Sequence, residues 1–350
     1  MDLEFKEIKD YKIKRRKIKA SCPSNIAIIK YWGKYENQIP ANPSISYTLN
    51  HCCTHTELEF FPNETFQVET FLSGIEKPDF SKKIEKYFRN IETYLPWILK
   101  GRYVLSTENT FPHSSGIASS ASGFGVLSKC LMELDEIFSG KIEENNNRKA
   151  SFLARLGSGS ACRSLYDGLV VWGETEDLKG TSDLFAIPYP KDEIHPVFKD
   201  FNDWVLLIHE GEKQVSSTVG HQLMDNNPYA KRRFQEAREN FKSLKKILKE
   251  GDLEAFIQLT EHEALTLHAM MMVSHPAFIL MKSGTLEAIH KIWNFRKETG
   301  LPLFFTLDAG ANVHLLFPNI KEVQQIKYFI ENELLPLSQN GRIVKDEMKF

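Results

Sequence analysis

The chain has 350 residues, of which 42% are hydrophobic and 26% charged, and its net charge is −2. That length favours two lobes over one compact unit, and the apolar fraction is ample for a core in each. The near-neutral balance supplies no global field to recruit nucleic acid or an acidic membrane surface, so an anionic ligand would need a local cluster of donors.

In chain order, residues 1–20 lack the apolar core of a signal peptide. No run approaches the ~18 apolar residues of a membrane span. The basic stretch over residues 12–19 alternates with isoleucine at period two, which reads as a first strand (13–20) with a solvated basic face rather than a nucleic-acid patch. Further strands are expected at 44–50, 56–61, 103–109 and 168–172. Helices are expected from Ser115 to about Phe138 and over 151–156. In the second half a buried strand at 204–209 precedes helices at 228–249, 253–272 and 283–299. A strand at 303–307, a turn at Ala309-Gly310, a strand at 313–317 and a helix at 320–334 complete the chain. Strands and helices mixed without regular βαβ alternation make this an α+β chain. The crossing point is expected near Tyr189-Pro190-Lys191, with lobes at 1–190 and 191–350. The five cysteines (Cys22, Cys52, Cys53, Cys130, Cys162) show neither CxxC nor zinc-ligand spacing, which fits a reducing, cytoplasmic setting.

Four segments carry chemistry. The first runs Phe111-Pro112-His113-Ser114-Ser115-Gly116-Ile117-Ala118-Ser119-Ser120-Ala121-Ser122-Gly123. Small residues admit a ligand close to the backbone, and the following helix N-terminus attracts anions. Ser119 and Ser120 could add donors to phosphate or hold a metal, or could simply cap a tight turn. It is no Walker A loop, because Gly-Lys-Ser/Thr is absent. In the second, Gly157-Ser158-Gly159-Ser160-Ala161-Cys162-Arg163, a guanidinium stands just beyond a loop of small residues, placed to grip a carboxylate or phosphate. In the third, Lys30-Tyr31-Trp32-Gly33-Lys34, two cations leave the end of a strand. The fourth places Asp308 between an apolar strand and a turn, where it could be a catalytic base or only a turn residue. Glu261-His262-Glu263 and His268 share a helix but not one face, and HExxH is absent, so no metal site is expected there.

Together and in order, these segments resemble the diphosphomevalonate decarboxylases, a branch of the GHMP small-molecule kinases. The family's NIAVIKYWGK stands here as Asn25 to Lys34, its PTAAGLASSAAG as Pro112 to Gly123, and its GSGSACRSL is identical from Gly157 to Leu165. Its STVG recurs as Ser217 to Gly220, and its FDAGPN stands as Leu307 to Asn312. The resemblance implies a two-lobed GHMP-kinase fold, with a ribosomal-protein-like α+β sandwich lobe followed by a ferredoxin-like lobe. It implies ATP phosphates on Gly116, Ala118, Ser119 and Ser120, with Mg²⁺ beside them. Asp308 would be the base toward a tertiary hydroxyl, Arg163 would orient the substrate carboxylate, and Lys30 would lie close by. Ser158 and Ser160, with Gly159, Ala161 and Cys162, would meet the substrate's oxygens. Tyr31, Lys34 and Thr218, with Trp32 and Gly33, would hold its diphosphate end. A homodimer is also implied.

The chain departs from the family at several points. His113-Ser114-Ser115 replaces Thr-Ala-Ala, Ala311 replaces proline, and His314 enters a strand that is normally apolar. An acidic residue is missing near Val273, and only Lys82 and Lys83 are available where an arginine usually grips the diphosphate. The alternatives are a phosphomevalonate decarboxylase, a mevalonate 3-kinase that stops before CO₂ loss, or a non-catalytic ligand-binding regulator.

Overall fold

The computed structural model describes residues 5–6, 10–63, 65–112, 117–141, 146–211 and 217–349, without the side chains of residues 217, 218 and 349. The first seven strands are β1 (Arg16–Ile29), β2 (Ser44–Pro62), β3 (Gln67–Leu72), β4 (Ile75–Glu76), β5 (Gly101–Asn109), β6 (Leu169–Trp172) and β7 (Ile187–Pro188). They form one sheet of order β4-β3-β5-β2-β6-β7, with β1 on β2. Only β3 and β5 run parallel. Helices α1 (Pro78–Ile91), α2 (Ser119–Ser139) and α3 (Asn146–Gly157) accompany it. The second sheet is antiparallel and takes β8 (Asp200–Leu206), β9 (Phe304–Thr306), β10 (Val313–Pro318) and β11 (Ile343–Lys349) in the order β11-β8-β10-β9. With it go α4 (Ser217–Gln222), α5 (Ala230–Glu250), α6 (Leu253–Met272), α7 (Ser283–Thr299) and α8 (Val323–Phe329). Among the described residues, no helix is long and apolar enough to cross a membrane.

The α+β class is as expected, and α6 and α7 occupy the expected residues. Several boundaries differ for physical reasons. The expected first strand begins later, at Arg16, and runs on to Ile29. The register against β2 shifts around Pro23, which has no N–H to give a ladder. The two expected strands at 44–50 and 56–61 are one 19-residue strand, β2. The second-half strand expected at 204–209 is β8, which starts at Asp200 because residues 201–206 are paired on both sides by β10 and β11. Strands β3, β4, β7 and β11 and helices α1 and α4 lay outside the sequence reading. Helix α1 concentrates its buried aromatics, Tyr87 and Phe88, in its last turns. Helix α4 is only six residues long. Strand β11 is charged through its middle, at Lys345, Asp346 and Glu347.

The two sheets share a core. Ile26, Ile45 and Tyr47 of the first sheet pack in one cluster with Val205 of β8 and with Phe241 and Phe256 of α5 and α6. The Tyr47 hydroxyl donates to the Phe198 carbonyl at 3.1 Å. A polar clamp adds to this core: the buried Asp346 carboxylate on β11 accepts the backbone N–H groups of Asn50, His51 and Cys52 in mid-β2 at 2.6–3.1 Å. The end of β1 and the β9–β10 turn thereby meet across a cleft.

Candidate active site

A cavity of about 460 Å³ opens where these elements converge. Asp308 enters it from the turn after β9, at the end of an apolar run whose Phe304, Phe305 and Leu307 are fully buried. The ring of His268, on α6, bonds the Asp308 carbonyl through Nε2 at 3.2 Å. Burial pushes His268 down to about 4, so the ring is neutral and donates to that carbonyl. His268 thus has a place in the site, as a brace for the Asp308 backbone rather than as a ligand.

Opposite Asp308, Lys30 follows directly on β1 and is buried. Its backbone N–H donates to Glu263 Oε2 at 2.9 Å, and its Nζ donates to the Ala27 carbonyl at 2.6 Å. Glu263, fully buried on α6, also accepts from Arg233 and from Asn240 Nδ2, which fixes it under the loop. Burial lowers the Lys30 ammonium to about 8, against the opposing pull of Asp308 and Glu263.

Arg163 is likewise buried, at the end of a 3₁₀ turn over Gly159–Leu165. Its acceptors are neutral: Ser44 Oγ at 2.5 Å, Ser46 Oγ at 3.0 Å and Asn25 Oδ1 at 3.4 Å. Asn25 is itself oriented, because its amide donates to Ser164 Oγ and the Ser160 carbonyl. A buried guanidinium held by hydroxyls and an amide retains its charge for an incoming carboxylate.

Between them, Tyr31 lines the cavity with its hydroxyl buried and without a hydrogen-bond partner among the described residues. Gly159 is required beside it, since a Cβ there would lie 2.6 Å from Tyr31 Oη and 2.8 Å from the Trp172 ring. Ser158 and Ser160 line the cavity, but Ala161 and Cys162 do not. The Cys162 thiol donates to the Gly159 carbonyl and packs on Val170 and Trp172, while Ala161 belongs to the first lobe's core. Trp32 is on the wall. Gly33, at φ +101°, contributes backbone rather than wall, giving its N–H to His221 Nδ1 at 3.0 Å. Sequence reasoning passed over His221, for no motif marks a histidine in α4.

At the far end, the Lys34 ammonium donates to Gln38 at 2.8 Å, and Lys83 joins it on the wall. Burial lowers both ammonium groups, and the charge of Lys83 lowers Lys34 further. Lys82 instead lies at the surface, 3.9 Å from Asp79. Ser119 and Ser120 line the cavity at the first turn of α2, which begins at Ser119 and not at the expected Ser115. Ala118 precedes them in the left-handed region (φ 39°), so the chain turns sharply before the helix. Gly116 and the Thr218 side chain lie outside the described residues. Among the described residues, the wall carries four cations (Lys30, Lys34, Lys83, Arg163) against one carboxylate, Asp308. That balance suits a multiply anionic ligand. No group of three His, Cys, Asp or Glu among the described residues could hold a metal.

Two family models divide the chain between them. Residues 22–186 match the diphosphomevalonate decarboxylase-like N-terminal domain, and residues 204–349 match the mevalonate 5-diphosphate decarboxylase C-terminal domain. The chain belongs to the diphosphomevalonate decarboxylase family. The diphosphomevalonate decarboxylase of Ganoderma lucidum is 29% identical over 339 residues, covering 90% of this chain and 82% of that one. The solved mevalonate diphosphate decarboxylase of Legionella pneumophila is 30% identical with a TM-score of 0.80, covering 94% of this chain and all of its own. The solved complex of MDDEF with MVAPP, AMPPCP and magnesium is 26% identical with a TM-score of 0.79, covering 96% and 97%.

Proposed function

We propose that this chain uses ATP to decarboxylate 5-diphosphomevalonate, yielding isopentenyl diphosphate, ADP, phosphate and CO₂, from lobes at 1–190 and 191–350. The observation that carries the reading is the convergence of Asp308, Lys30 and Arg163 on one cavity. A tertiary hydroxyl is a poor leaving group, so its oxygen must first be phosphorylated. In this reading Asp308 takes the proton from the C3 hydroxyl as that oxygen attacks the γ-phosphorus of ATP. The C3–O bond then breaks with its electron pair leaving on phosphate. The C1–C2 pair becomes the new double bond, and C1 departs as CO₂. Arg163 orients the C1 carboxylate, and Lys30 helps to balance the anionic substrate and nucleotide. Tyr31, Ser158 and Ser160 offer hydroxyls to the substrate's oxygens, while Lys34 and Lys83 balance the 5-diphosphate.

The nucleotide phosphates belong on the first turn of α2, at Ser119 and Ser120. Magnesium prefers hard oxygen ligands. The two serine hydroxyls fit that preference, the nucleotide's own phosphates supplying the remainder. When bound, the ion supplies charge neutralisation. The related complex with MVAPP, AMPPCP and magnesium supports this choice of ligands. The reading includes a homodimer and a cytoplasmic setting, the latter supported by five free thiols.

The test is a panel of mevalonate, its 5-phosphate and its 5-diphosphate, each with ATP, with ADP and CO₂ measured together. Equal yields of ADP and CO₂ are expected from the diphosphate. ADP without CO₂ would indicate a 3-kinase, preference for the monophosphate would indicate a phosphomevalonate decarboxylase, and no ADP from any would leave a ligand-binding regulator.

A further inference from the structure

His221 lines the cavity yet has no part in the chemistry above. Its ring lies 4.3 Å from that of Tyr31 and 4.7 Å from that of Trp32, centroid to centroid, so two aromatic neighbours fix its plane. Gly220, next to it in α4, allows the close approach, because a Cβ there would meet the Trp32 ring at 2.6 Å. The ring's tautomer is determined as well. Nδ1 accepts the Gly33 N–H, so it carries no proton, and in the neutral ring the proton must sit on Nε2. Burial, reinforced by Lys34, holds His221 down at about 3, and Asp308 opposes only in part. The ring is therefore a neutral donor throughout the working pH range, lying within electrostatic reach of both Lys34 and Asp308.

We infer that His221 is a substrate-binding residue whose Nε2–H donates to an anionic oxygen at the phosphorylated end of the substrate. The inference rests on the proposed function and deepens it. Lys34 and Lys83 supply charge there but crowd each other. A neutral donor adds a directed hydrogen bond without adding to that repulsion.

The test uses two amide variants that divide the ring's roles. In His221→Asn the amide oxygen can stand near the Nδ1 position and keep the Gly33 contact, but the distal donor is lost. In His221→Gln an amide N–H reaches the Nε2 position. Titration calorimetry of the full chain is expected to show 5-diphosphomevalonate binding weakened about tenfold or more in His221→Asn, the range for a hydrogen bond to a charged group. Binding of ATP and of unphosphorylated mevalonate is expected to stay at wild-type levels, and His221→Gln should recover most of the loss. Wild-type affinity in His221→Asn overturns the inference. So does equal weakening of mevalonate and its diphosphate in both variants, which would assign His221 to the Gly33 turn alone. A readout that needs no variant is the Nε2–H resonance of ¹⁵N-histidine-labelled wild type. It should shift with 5-diphosphomevalonate and not with mevalonate, and an unmoved resonance also overturns the inference. A wild-type chain that does not bind 5-diphosphomevalonate removes the proposed function and this inference together, whereas failure in the variants alone removes only the inference.

Discussion

Asp308 and Lys30 face each other as a carboxylate and an ammonium that burial has made marginal. Below about pH 8 Lys30 carries its proton and is one of the cavity's cations balancing the anionic substrate and nucleotide; above that pH its charge is lost. The rate of turnover should accordingly fall as pH rises through about 8. Lys30→Met should lack this alkaline limb and run slowly at every pH. A pH–rate profile from 6 to 10 checks both (roughly the accessible range around that value), and a flat wild-type profile contradicts the role given to Lys30. Not every residue of the site was legible in the sequence. Asp308 in isolation reads as a turn residue, and only its order relative to Arg163 and the serine loop marked it. The choice between Lys82 and Lys83 depended on which face α1 turns to the cavity. His221 was invisible because its meaning comes from Tyr31 and Trp32, which are nearly 190 residues away. The departure at His314 is compensated by a fully buried partner, Asp203, 2.8 Å away on the neighbouring strand.

Among the elements, those with a plain hydrophobic period were legible and those with a mixed one were not. Helices α6 and α7 follow their sequence pattern to the residue. Strand β11 escapes it because Lys345, Asp346 and Glu347 interrupt the apolar alternation. Asp346 nevertheless joins the sheets: its carboxylate takes three consecutive N–H groups of β2, where the strand's own pattern is weakest. That is also why two expected strands prove to be one. Replacing it leaves buried donors unsatisfied, so Asp346→Ala should lose about 2–4 kcal/mol of stability. Urea denaturation measures the loss, and an unchanged midpoint would show the clamp to be dispensable.

At the scale of the molecule, neither sheet holds a complete site. Lys30, Tyr31, Ser158 and Arg163 come from the first, while His221 and Asp308 come with the second. The shared core of Ile26, Ile45, Tyr47, Val205 and Phe241 holds the two groups in register. The family order of the motifs made the two-lobed fold legible. This junction was not, because it depends on which apolar faces meet. The central claim is that the base arriving from the second sheet acts on a substrate gripped by the first. Asp308→Asn tests it most directly, with ATP binding, ADP release and CO₂ release measured on the same preparation. The variant should fold and bind ATP but lose about 10²–10⁴-fold in both ADP and CO₂ production, as expected for removal of a general base. Near-normal turnover in that variant would contradict the account.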